Sequence, residues 1–391
     1  MTRTLVDNIG LLVTNDSSFD GTPLGLLRNA AFIIEGGVIE WIGESSSAPR
    51  KEISNSVDAQ GRCIIPGFVD SHTHLIFAGD RSDEFRARMS GQNNNAGGVN
   101  YTVELTRKAT NGQLLQSARR LVAEANDSGT TTIECKSGYG LSVEDEARLL
   151  VVAKQITEET TFLGAHVVPR EYAGKMEDYV DLVCGPMLDA ARPNAKWIDV
   201  FCDKGAFTSD QAKRILKAGM AKGLKPRLHA NQLEPGEGVQ LGVELGAASV
   251  DHLSYLSDDD IAALSTSNTV ATLLPCAEFS TRGHYPDARR LFEAGVKVAL
   301  ASDCNPGTSY TTNMPFVIAL AVRDLHFTPE QAIWSSTKGG ADALHRQDVG
   351  HLGRGAKADF SILSTSSYVH FAYRPGVPLI DEVWRDGRRI K

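Results

Sequence analysis

Apolar and polar positions follow two different patterns along this chain. Over roughly the first 65 residues they form short strand-like runs, TLVDNIGLLV, NAAFIIEGGVIEWIGE and GRCIIPG, with Gly36-Gly37 at a predicted hairpin turn. From Phe68 onward, near-continuous apolar runs alternate with longer amphipathic segments such as NGQLLQSARRLVAEANDSG and TSDQAKRILKAGMAKGL. Apolar runs separated by helices are typical of a parallel sheet that is buried on both faces.

The number of these runs predicts the architecture. In chain order they are FVDSHTHLIF, TTIECKSG, TTFLGAHVV, WIDVFC, PRLHANQ, AASVDHL, TVATLLPC and VKVALASDCN. Eight strand–helix repeats are expected for a (β/α)8 TIM barrel. A doubly wound open sheet is the alternative, but the chain lacks that fold's Gly-rich dinucleotide fingerprint.

Strand-like segments return after the eighth run, as ADFSILS and EVWRDGRRI. The predicted fold class is therefore α/β: a (β/α)8 barrel with a small β-sandwich domain formed from both termini. We expect residues 1–66 and 351–391 to form the small β domain and residues 67–350 to form the barrel. The run GQNNNAGG at Gln92–Asn95 is typical of a loop.

Composition narrows the class of protein. The 391 residues include 48 acidic and 40 basic side chains, a formal net charge of −8. This balance argues against nucleic-acid binding. The sequence contains neither a membrane-spanning apolar stretch nor a signal-peptide pattern, which favours a cytoplasmic protein without membrane association. The six cysteines show no CxxC or framework spacing, so we expect reduced thiols.

Histidines provide the strongest chemical signal. Five of them fall near the ends of predicted barrel strands: His72, His74, His166, His229 and His252. Active sites of these barrels lie at the carboxyl ends of the strands. In the HxH pair, His72 and His74 have the i, i+2 spacing that places two side chains on one side of a strand.

A carboxylate completes a candidate metal site. Asp303 follows the eighth apolar run, and His229 ends the fifth. Together with His72 and His74 they form a set of three nitrogens and one oxygen, which suits zinc, iron or another borderline divalent metal. Each residue alone has an ordinary alternative, a strand histidine or a solvated aspartate, but the combination favours a metal site.

The motif order resembles the amidohydrolase superfamily. FVDSHTHL on the first strand, His229 on the fifth, His252 on the sixth, Asp303 on the eighth and the tail GHLGRGAKADFSIL carry this resemblance over nearly the whole chain. Many binuclear members carry a carboxylated lysine that closes the fourth strand. The fourth strand here is WIDVFCDK, and Lys204 is a poor candidate for that role, so the resemblance implies a single metal ion.

Longer strings resemble one family within the superfamily, the imidazolonepropionases. These strings are AGDRSDEF, KSGYG, FLGAHVVP, HANQ and SDCNPGTS. The resemblance implies hydrolysis of 4-imidazolone-5-propanoate to N-formimidoyl-L-glutamate in histidine degradation, with one zinc or iron ion per subunit, and a homodimer. It also implies a set of substrate-binding residues: Arg81, Tyr139, His166, Gln232, Asn305, Gly307 and Thr308.

The expected catalytic residues are His252, Asp303 and Gln232. His252 would polarise the carbonyl or position the attacking water, and Gln232 would hydrogen-bond the ring. A neutral amide does not accept a proton at neutral pH, so Asp303 or His252 must act as the base. Arg81 would clamp the propionate carboxylate with its planar fork, although a salt bridge within DRSDEFRAR is the alternative.

The other candidates have structural alternatives too. Tyr139 in SGYG would close over the ring or pack on the barrel rim, and His166 would contact the substrate or be a core histidine. The segment Asn305–Thr308 would bind the ring edge or form a plain Pro-Gly turn. Two features depart from the family pattern: the segment PCAEFSTRGHYPDAR, and Asn231 where aspartate is common.

Two further functions stay open from the sequence. A mononuclear deaminase or another cyclic-amide hydrolase would share the same ligands, but a deaminase acting on a neutral base does not need Arg81. A catalytically inactive scaffold would be expected to lack ligands, and every ligand is present.

Overall fold

The computed structural model describes residues 2–92 and 98–391, so most of the predicted loop at Gln92–Asn95 lies outside the described residues. The strands are β1 (Arg3–Val13), β2 (Leu26–Glu35), β3 (Val38–Glu44), β4 (Asn55–Asp58), β5 (Cys63–Pro66), β6 (Phe68–Asp70), β7 (Thr130–Lys136), β8 (Glu159–Ala165), β9 (Trp197–Cys202), β10 (Lys225–Pro226), β11 (Leu228–Ala230), β12 (Ser249–His252), β13 (Val270–Leu273), β14 (Val298–Leu300), β15 (Phe360–Leu363), β16 (Ile380–Arg385) and β17 (Arg388–Arg389).

The helices occupy the segments between and after the barrel strands. They are α1 (Ser82–Met89), α2 (Gly98–Lys108), α3 (Asn111–Asp127), α4 (Val143–Ala153), α5 (Met176–Leu182), α6 (Leu188–Ala191), α7 (Ser209–Ala221), α8 (Gly238–Glu244), α9 (Asp258–Ser265), α10 (Pro275–Thr281), α11 (Arg289–Glu293), α12 (Met314–Asp324), α13 (Pro329–Trp334), α14 (Gly340–Ala343) and α15 (His370–Tyr373).

The described chain forms two compact units. One contains residues 2–71, 123–132 and 313–391, and the other contains the described residues of 72–122 together with 133–312. The domain boundaries expected from the sequence, after residues 66 and 350, stay a prediction.

The first unit contains one eight-stranded sheet built from both termini. Its order is β17-β16-β15-β5-β1-β2-β3, with β4 paired to β1. The C-terminal strand β15 runs antiparallel to β5, with Phe360 opposite Pro66. Phe360 also packs edge-on against Phe32 of β2, with ring centroids 5.1 Å apart. The apolar alternation of the two ends of the chain therefore forms one shared core.

The predicted hairpin is confirmed at β2 and β3. Gly36 and Gly37 connect the strands with φ values of 60° and 84°. These values lie in the left-handed region, which glycine adopts without steric cost. The Gly-Gly pair therefore determines where the chain reverses.

The eight predicted barrel runs all form strands of a second sheet. Its order is β14-β13-β12-β11-β9-β8-β7-β6, with β10 beside β9. The pairs from β7 to β14 are parallel. Buried apolar residues on these strands explain their continuous hydrophobic runs. The (β/α)8 barrel is confirmed.

Backbone hydrogen bonds close the barrel just beyond β6 and β14. Asp303 N donates to His72 O at 3.0 Å, and His74 N donates to Cys304 O at 2.9 Å. His72 and His74 therefore lie just after the first barrel strand. The i, i+2 interpretation had placed them on the strand itself. Closure of the barrel itself brings this pair next to Asp303.

The predicted amphipathic helices are also present, among them α3, α4, α7 and α11. Thr208 caps α7 in a capping box with Gln211, which satisfies backbone groups at the helix start. All six cysteines are free thiols. Among residues 2–92 and 98–391, no helix combines the length and apolarity needed to cross a membrane.

Candidate metal centre and active site

The predicted metal ligands converge on one buried point. Asp303 Oδ1 lies 3.6 Å from His72 Nε2 and 3.5 Å from His74 Nε2. His229 Nε2 lies 3.4 Å from His74 Nε2. Ligand atoms about 2.1 Å from a tetrahedral ion are separated by about 3.4 Å, so these spacings suit one small cation.

An unpaired nitrogen atom supports the same conclusion. Within the described chain, the buried His72 Nε2, which lies 3.6 Å from Asp303 Oδ1, has no hydrogen-bond partner. Buried polar atoms in proteins are normally satisfied, and a nitrogen lone pair aimed at a common point suits a metal ion. His252 belongs to the same centre, because one ring nitrogen of each of His72, His229 and His252 lies within 4.8 Å of the others.

His229 is oriented by a chain of buried charges. Its Nδ1 hydrogen-bonds Asp199 Oδ1 at 3.0 Å, and Asp199 Oδ2 pairs with Lys136 Nζ at 2.9 Å. Burial alone would raise the pKa of Asp199, but His229 and Lys136 outweigh burial and hold this pKa well below its ordinary value. An ionised Asp199 accepts the Nδ1 proton of His229 and leaves a lone pair on Nε2, which faces His74 Nε2.

A second chain of the same kind orients His72. His72 Nδ1 lies 2.8 Å from Asp251 Oδ2, and Arg227 Nη2 donates to the same oxygen at 3.3 Å. Burial would raise the pKa of Asp251, and Arg227 and Lys136 lower it below its ordinary value. Two predicted ligands are therefore fixed as the Nδ1–H tautomer by carboxylates that are themselves charge-paired.

Glu134 links these chains to the HxH segment. Its Oε2 accepts a hydrogen bond from Thr73 N at 2.9 Å, and its Oε1 accepts one from Lys136 Nζ at 3.0 Å. Thr73 Oγ1 donates to Glu134 O at 2.5 Å. We call the five buried residues that lie on or between the barrel strands beneath the histidines the strand network: Glu134, Lys136, Asp199, Arg227 and Asp251.

Burial also sets the protonation state of the histidines. It lowers the pKa of His72, His74 and His252 well below 6.5. Neutral imidazoles are the form that binds metals. In addition, Asp303 and His252 have φ values of 52° and 84°, and such left-handed conformations of non-glycine residues cluster at functional sites.

Arg81 lies at the start of α1 and forms a bidentate pair with Glu84. Its Nε and Nη2 donate to the two Glu84 oxygens at 2.9 and 2.8 Å. Arg88 Nη2 also donates to Glu84, at 2.9 Å. This arginine trio of Arg81, Glu84 and Arg88 carries a net charge of +1. The salt bridge considered from the sequence is therefore present, yet it leaves positive charge available.

Gly307 gives Arg81 the room it needs. A side-chain Cβ at position 307 would lie 2.2 Å from Arg81 Nη1. The described residues offer Nη1 no hydrogen-bond acceptor, whereas Nε and Nη2 are occupied by Glu84. The predicted pair of Arg81 and Gly307 is thus in direct contact, with one donor group of the fork still available.

Tyr139 and His166 lie together beside the HxH pair. The Tyr139 ring is 6.0 Å from that of His74 and 5.3 Å from that of His166, and His166 stacks on His74 at 5.4 Å. Burial raises the pKa of Tyr139, so its hydroxyl stays protonated. Burial lowers the pKa of His166 to about 4, so its imidazole is neutral.

Asn305 and Thr308 form a tight turn after the predicted ligand Asp303. Asn305 Oδ1 accepts hydrogen bonds from Gly307 N and Thr308 N, each at 2.8 Å, and Nδ2 donates to Asp303 O at 2.7 Å. Thr308 Oγ1 lies 3.5 Å from Asp303 Oδ2. The Asn305 amide is therefore used within the turn itself.

Gln232 lies two residues beyond β11 and is half-buried. Its backbone N–H donates to Asp203 at 2.6 Å. No hydrogen bond of its side chain to another predicted site residue is found in the described chain. Lys204 forms an exposed ion pair with Glu234 at 2.6 Å, so it does not close the fourth strand toward the ligands.

The sequence interpretation missed the strand network, Glu84, and the buried Glu146 described below. A signal was available for part of it. In TTIECKSG, Glu134 and Lys136 are two residues apart, so both face one side of their strand. Asp199 interrupts the apolar run WIDVFC, and Asp251 precedes His252. Charged residues inside buried strands are rare unless they are paired, which marks them as parts of a site.

The comparisons with known proteins agree with this geometry. A profile of the Amidohydrolase family matches residues 63–390. The imidazolonepropionase of Mycolicibacterium smegmatis is 62% identical over 390 residues, covering 100% of this chain and 98% of that protein. The imidazolonepropionase of Streptomyces griseus is 59% identical over 391 residues and covers 100% of both chains.

Solved structures support the fold independently. A mutant of atrazine chlorohydrolase from Arthrobacter aurescens, complexed with zinc and atraton, matches 99% of this chain and 95% of its own with a TM-score of 0.75 and 14% identity. Guanine deaminase from C. acetobutylicum matches 100% of both chains with a TM-score of 0.72 and 14% identity. By its sequence, over its full length, this chain belongs to the amidohydrolase family and, within it, to the imidazolonepropionases.

Proposed function

We propose that this chain hydrolyses the ring amide of 4-imidazolone-5-propanoate to N-formimidoyl-L-glutamate, a step of histidine degradation. The observation that carries the proposal is full-length identity of 57–62% to proteins named imidazolonepropionase. The converging His/Asp cluster supplies the chemistry that such a hydrolysis needs.

The residues that would hold the metal are His72, His74, His229 and Asp303. This donor set accepts zinc and iron alike, and we propose one such ion per subunit. When bound, a metal of this kind lowers the pKa of a coordinated water and so makes hydroxide available near neutral pH.

The protein's own groups then handle the protons. Hydrolysis adds water to the ring carbonyl carbon and breaks the bond from that carbon to the ring nitrogen. The nitrogen takes up a proton, and the carbonyl becomes a carboxylate. Asp303 and His252 are the two candidates for moving that proton, since the amide of Gln232 cannot accept one. Gln232 would instead hydrogen-bond the ring.

The propionate carboxylate would bind the arginine trio. A net charge of −8 on the whole chain disfavours an anionic substrate, so local positive charge is needed. Arg81 Nη1 beside Gly307 is a donor that the described residues leave available. Tyr139, His166 and the turn of Asn305 and Thr308 would contact the imidazolone ring and its edge.

The proposal extends to the cellular form of the enzyme. We expect a homodimer, as the family resemblance implied, and a cytoplasmic location. Sedimentation or light scattering of the metal-loaded protein would measure the oligomeric state, and a single monomeric species would contradict the dimer.

Turnover of freshly prepared 4-imidazolone-5-propanoate, followed by loss of its ultraviolet absorbance, tests the function. We expect the metal-loaded protein to consume the compound, a chelator to abolish the reaction, and added zinc or iron to restore it. Turnover that is insensitive to the chelator would contradict the metal site.

Guanine, adenosine and simple cyclic amides serve as comparison substrates. Hydrolysis of one of these by metal-loaded protein that leaves imidazolonepropanoate unchanged would move the function to the deaminase or cyclic-amide class. Such an outcome would leave the barrel and the ligand cluster intact and would reject the assigned substrate.

A further inference from the structure

The loop that carries Tyr139 is attached to one buried carboxylate. Glu146 lies near the start of α4, and its Oε1 accepts hydrogen bonds from Gly140 N at 2.7 Å and Leu141 N at 2.8 Å. Its Oε2 accepts one from Gly138 N at 3.0 Å. Three backbone donors on both sides of Tyr139 therefore converge on a single side chain.

This arrangement goes with one particular conformation of the loop. Glu146 is fully buried. Gly138 and Leu141 have φ values of 106° and 51°, so the backbone is held in the left-handed region at both ends of the loop. A Cβ at Gly140 would lie 2.6 Å from Glu146 N, so the loop packs directly on the first turn of α4.

Arg107 binds the opposite polar groups of the same loop. Its Nε donates to Gly140 O at 2.6 Å and its Nη2 donates to Leu141 O at 3.1 Å. Arg107 Nη2 is in turn paired with Glu171 at 2.7 Å. The N–H groups around Tyr139 are thus held by the Glu146 carboxyl group, and the carbonyl groups by the Arg107 guanidinium group.

The loop also orients His166. His166 Nδ1 lies 2.9 Å from Gly138 O. A carbonyl oxygen only accepts hydrogen bonds, so Nδ1 carries the proton and Nε2 has the lone pair. The side chains of Tyr139 and His166, both proposed to bind substrate, therefore depend on the position of one short loop.

We propose that Glu146 is a positioning residue for substrate binding: with Arg107, it holds the loop of Gly138–Leu141 preformed, so that Tyr139 and His166 meet the ring without a closing movement. The inference rests on the proposed function, because it takes Tyr139 and His166 as substrate-binding residues. The sequence left two possibilities for Tyr139 in SGYG, closure over the ring and packing on the barrel rim, and the inference favours a loop that does not move.

The substitution Glu146→Gln tests the proposal with little change in shape. It replaces Oε2, which accepts a hydrogen bond from Gly138 N at 3.0 Å, with an NH₂ group that opposes this donor. We expect hydrogen exchange in peptides covering 137–142 to become at least roughly tenfold faster, and KM to rise roughly tenfold with a smaller change in kcat. The bound-metal content should stay at the wild-type level, because Glu146 contacts none of the predicted ligands.

Two further variants separate positioning from a general loss of stability. Glu159→Gln is the matched control, because it neutralises another buried carboxylate. Glu159 lies at the start of β8, far along the strand from His166, and its carboxylate binds Lys196 and Trp197. We expect it to lower the unfolding midpoint without changing KM. In the Tyr139→Phe background, Glu146→Gln should raise KM clearly less than in the wild type, because both changes act on the same contact.

The outcomes are distinct. Unchanged exchange of the loop amides in Glu146→Gln, or a KM effect that is undiminished in the Tyr139→Phe background, would overturn the positioning role. If Glu146→Gln does not fold, Arg107→Gln loosens the same loop from its half-exposed side and must produce the same pattern. A wild-type protein without turnover would instead overturn the proposed function, and with it the substrate-binding part of this inference, while exchange would still show whether Glu146 holds the loop.

Discussion

Buried carboxylates have different partners in the strand network and in helix α10, which follows β13. In the strand network every carboxylate has a cation: Asp199 pairs with Lys136 at 2.9 Å, and Asp251 with Arg227 at 3.3 Å. In helix α10, which follows β13, the buried Glu278 instead accepts a hydrogen bond from a hydroxyl, Ser254 Oγ, at 2.7 Å. The pKa values diverge accordingly.

The direction of each pKa shift follows from the partner. Cations lower the pKa of Asp199 and Asp251 below the ordinary value, although burial acts in the opposite direction. Burial raises the pKa of Glu278 to about 7, because its serine partner compensates only in part. A paired carboxylate is a fixed acceptor for a histidine N–H, whereas an unpaired one changes its charge near neutral pH.

The arginine trio is intermediate between these cases. Glu84 is shared by two guanidinium groups, so the set is paired but not neutral. In the strand network the charged groups pair with one another and with the predicted ligands His72 and His229. In the arginine trio, Arg81 Nη1 is a donor that the described residues leave available. The difference teaches that the charges beneath the predicted ligands are enclosed in pairs, whereas the charges of the proposed substrate site keep one donor available.

The largest effect is expected at Asp303, the only carboxylate among the four predicted ligands. Asp303→Ala removes an oxygen that lies about as far from His72 and His74 as ligands of one ion do, so metal and turnover should both be lost. Metal analysis of the purified protein and the turnover assay measure this. Asp258→Ala is the control, because its side chain is 98% exposed. A full complement of metal in Asp303→Ala would show that the cluster is not the metal site.

The next largest effect is expected from Lys136→Met. Removing the ammonium leaves Glu134 and Asp199 buried without their cation, and breaking such a buried pair costs about 3–5 kcal/mol in the free energy of unfolding. His229 loses its charged anchor at the same time, so metal should bind more weakly. Urea unfolding and metal titration measure both effects.

Controls for this variant come from the same chain. Lys108→Met removes an exposed cation paired with Glu104 and should change the stability by no more than about 0.5 kcal/mol. Adding Glu134→Gln to Lys136→Met removes one stranded charge and should restore part of the loss. Equal stability of Lys136→Met and wild type would contradict the contrast between the two kinds of buried charge.

The architecture and the positions of the predicted ligands could be read from the sequence for a physical reason. Buried parallel strands need continuous apolar runs, so eight of them are visible in the pattern. His229 lies on β11, whereas His72, His74 and Asp303 lie just beyond β6 and β14, and barrel topology gathers strand ends at one face. The order of these residues, together with the family resemblance, therefore predicted side chains that the structure brings together.

The pairing of charges was beyond the sequence because it depends on three-dimensional neighbours. Lys136 reaches Asp199 from a strand that is 63 positions away in the sequence numbering, and no local pattern encodes this distance. Glu146 illustrates the same point: a glutamate in the first turn of a helix is common on dipole grounds alone. Only the structure shows that its carboxylate faces back to the loop of Tyr139.

A moderate, pH-dependent effect is expected at Glu278, which belongs to the segment that departs from the family pattern. Its pKa of about 7 in the folded protein lies above the ordinary 4.5, so the folded state binds this proton more tightly than the unfolded chain does. Stability from this group is therefore complete below about pH 4.5 and is lost as the pH rises through 7.

Glu278→Gln should remove this dependence. Between pH 5 and 8, the wild type should lose about 2–3 kcal/mol more stability than the variant, a figure that follows from the size of the pKa shift. Unfolding by urea at both pH values, with metal-free protein, measures the difference. Ser254→Ala removes a hydrogen bond that lowers this pKa and should move the transition to higher pH. Parallel pH profiles for wild type and Glu278→Gln would show that Glu278 is charge-compensated like the strand network.

The smallest of these effects is expected at Arg81, which should contribute to the free energy of substrate binding and not to the free energy of unfolding. Glu84 keeps Arg88 as a partner when Arg81 is removed, so Arg81→Ala should leave the unfolding midpoint close to that of wild type. Substrate binding should weaken by about 1.5–3 kcal/mol, the contribution of a charge-assisted hydrogen bond, seen as a higher KM. Arg81→Lys keeps the charge but not the planar fork, and should recover only part of the loss. A normal KM in Arg81→Ala would mean that Arg81 only balances the charge of Glu84, as the cations of the strand network balance their carboxylates. The propionate would then be bound elsewhere.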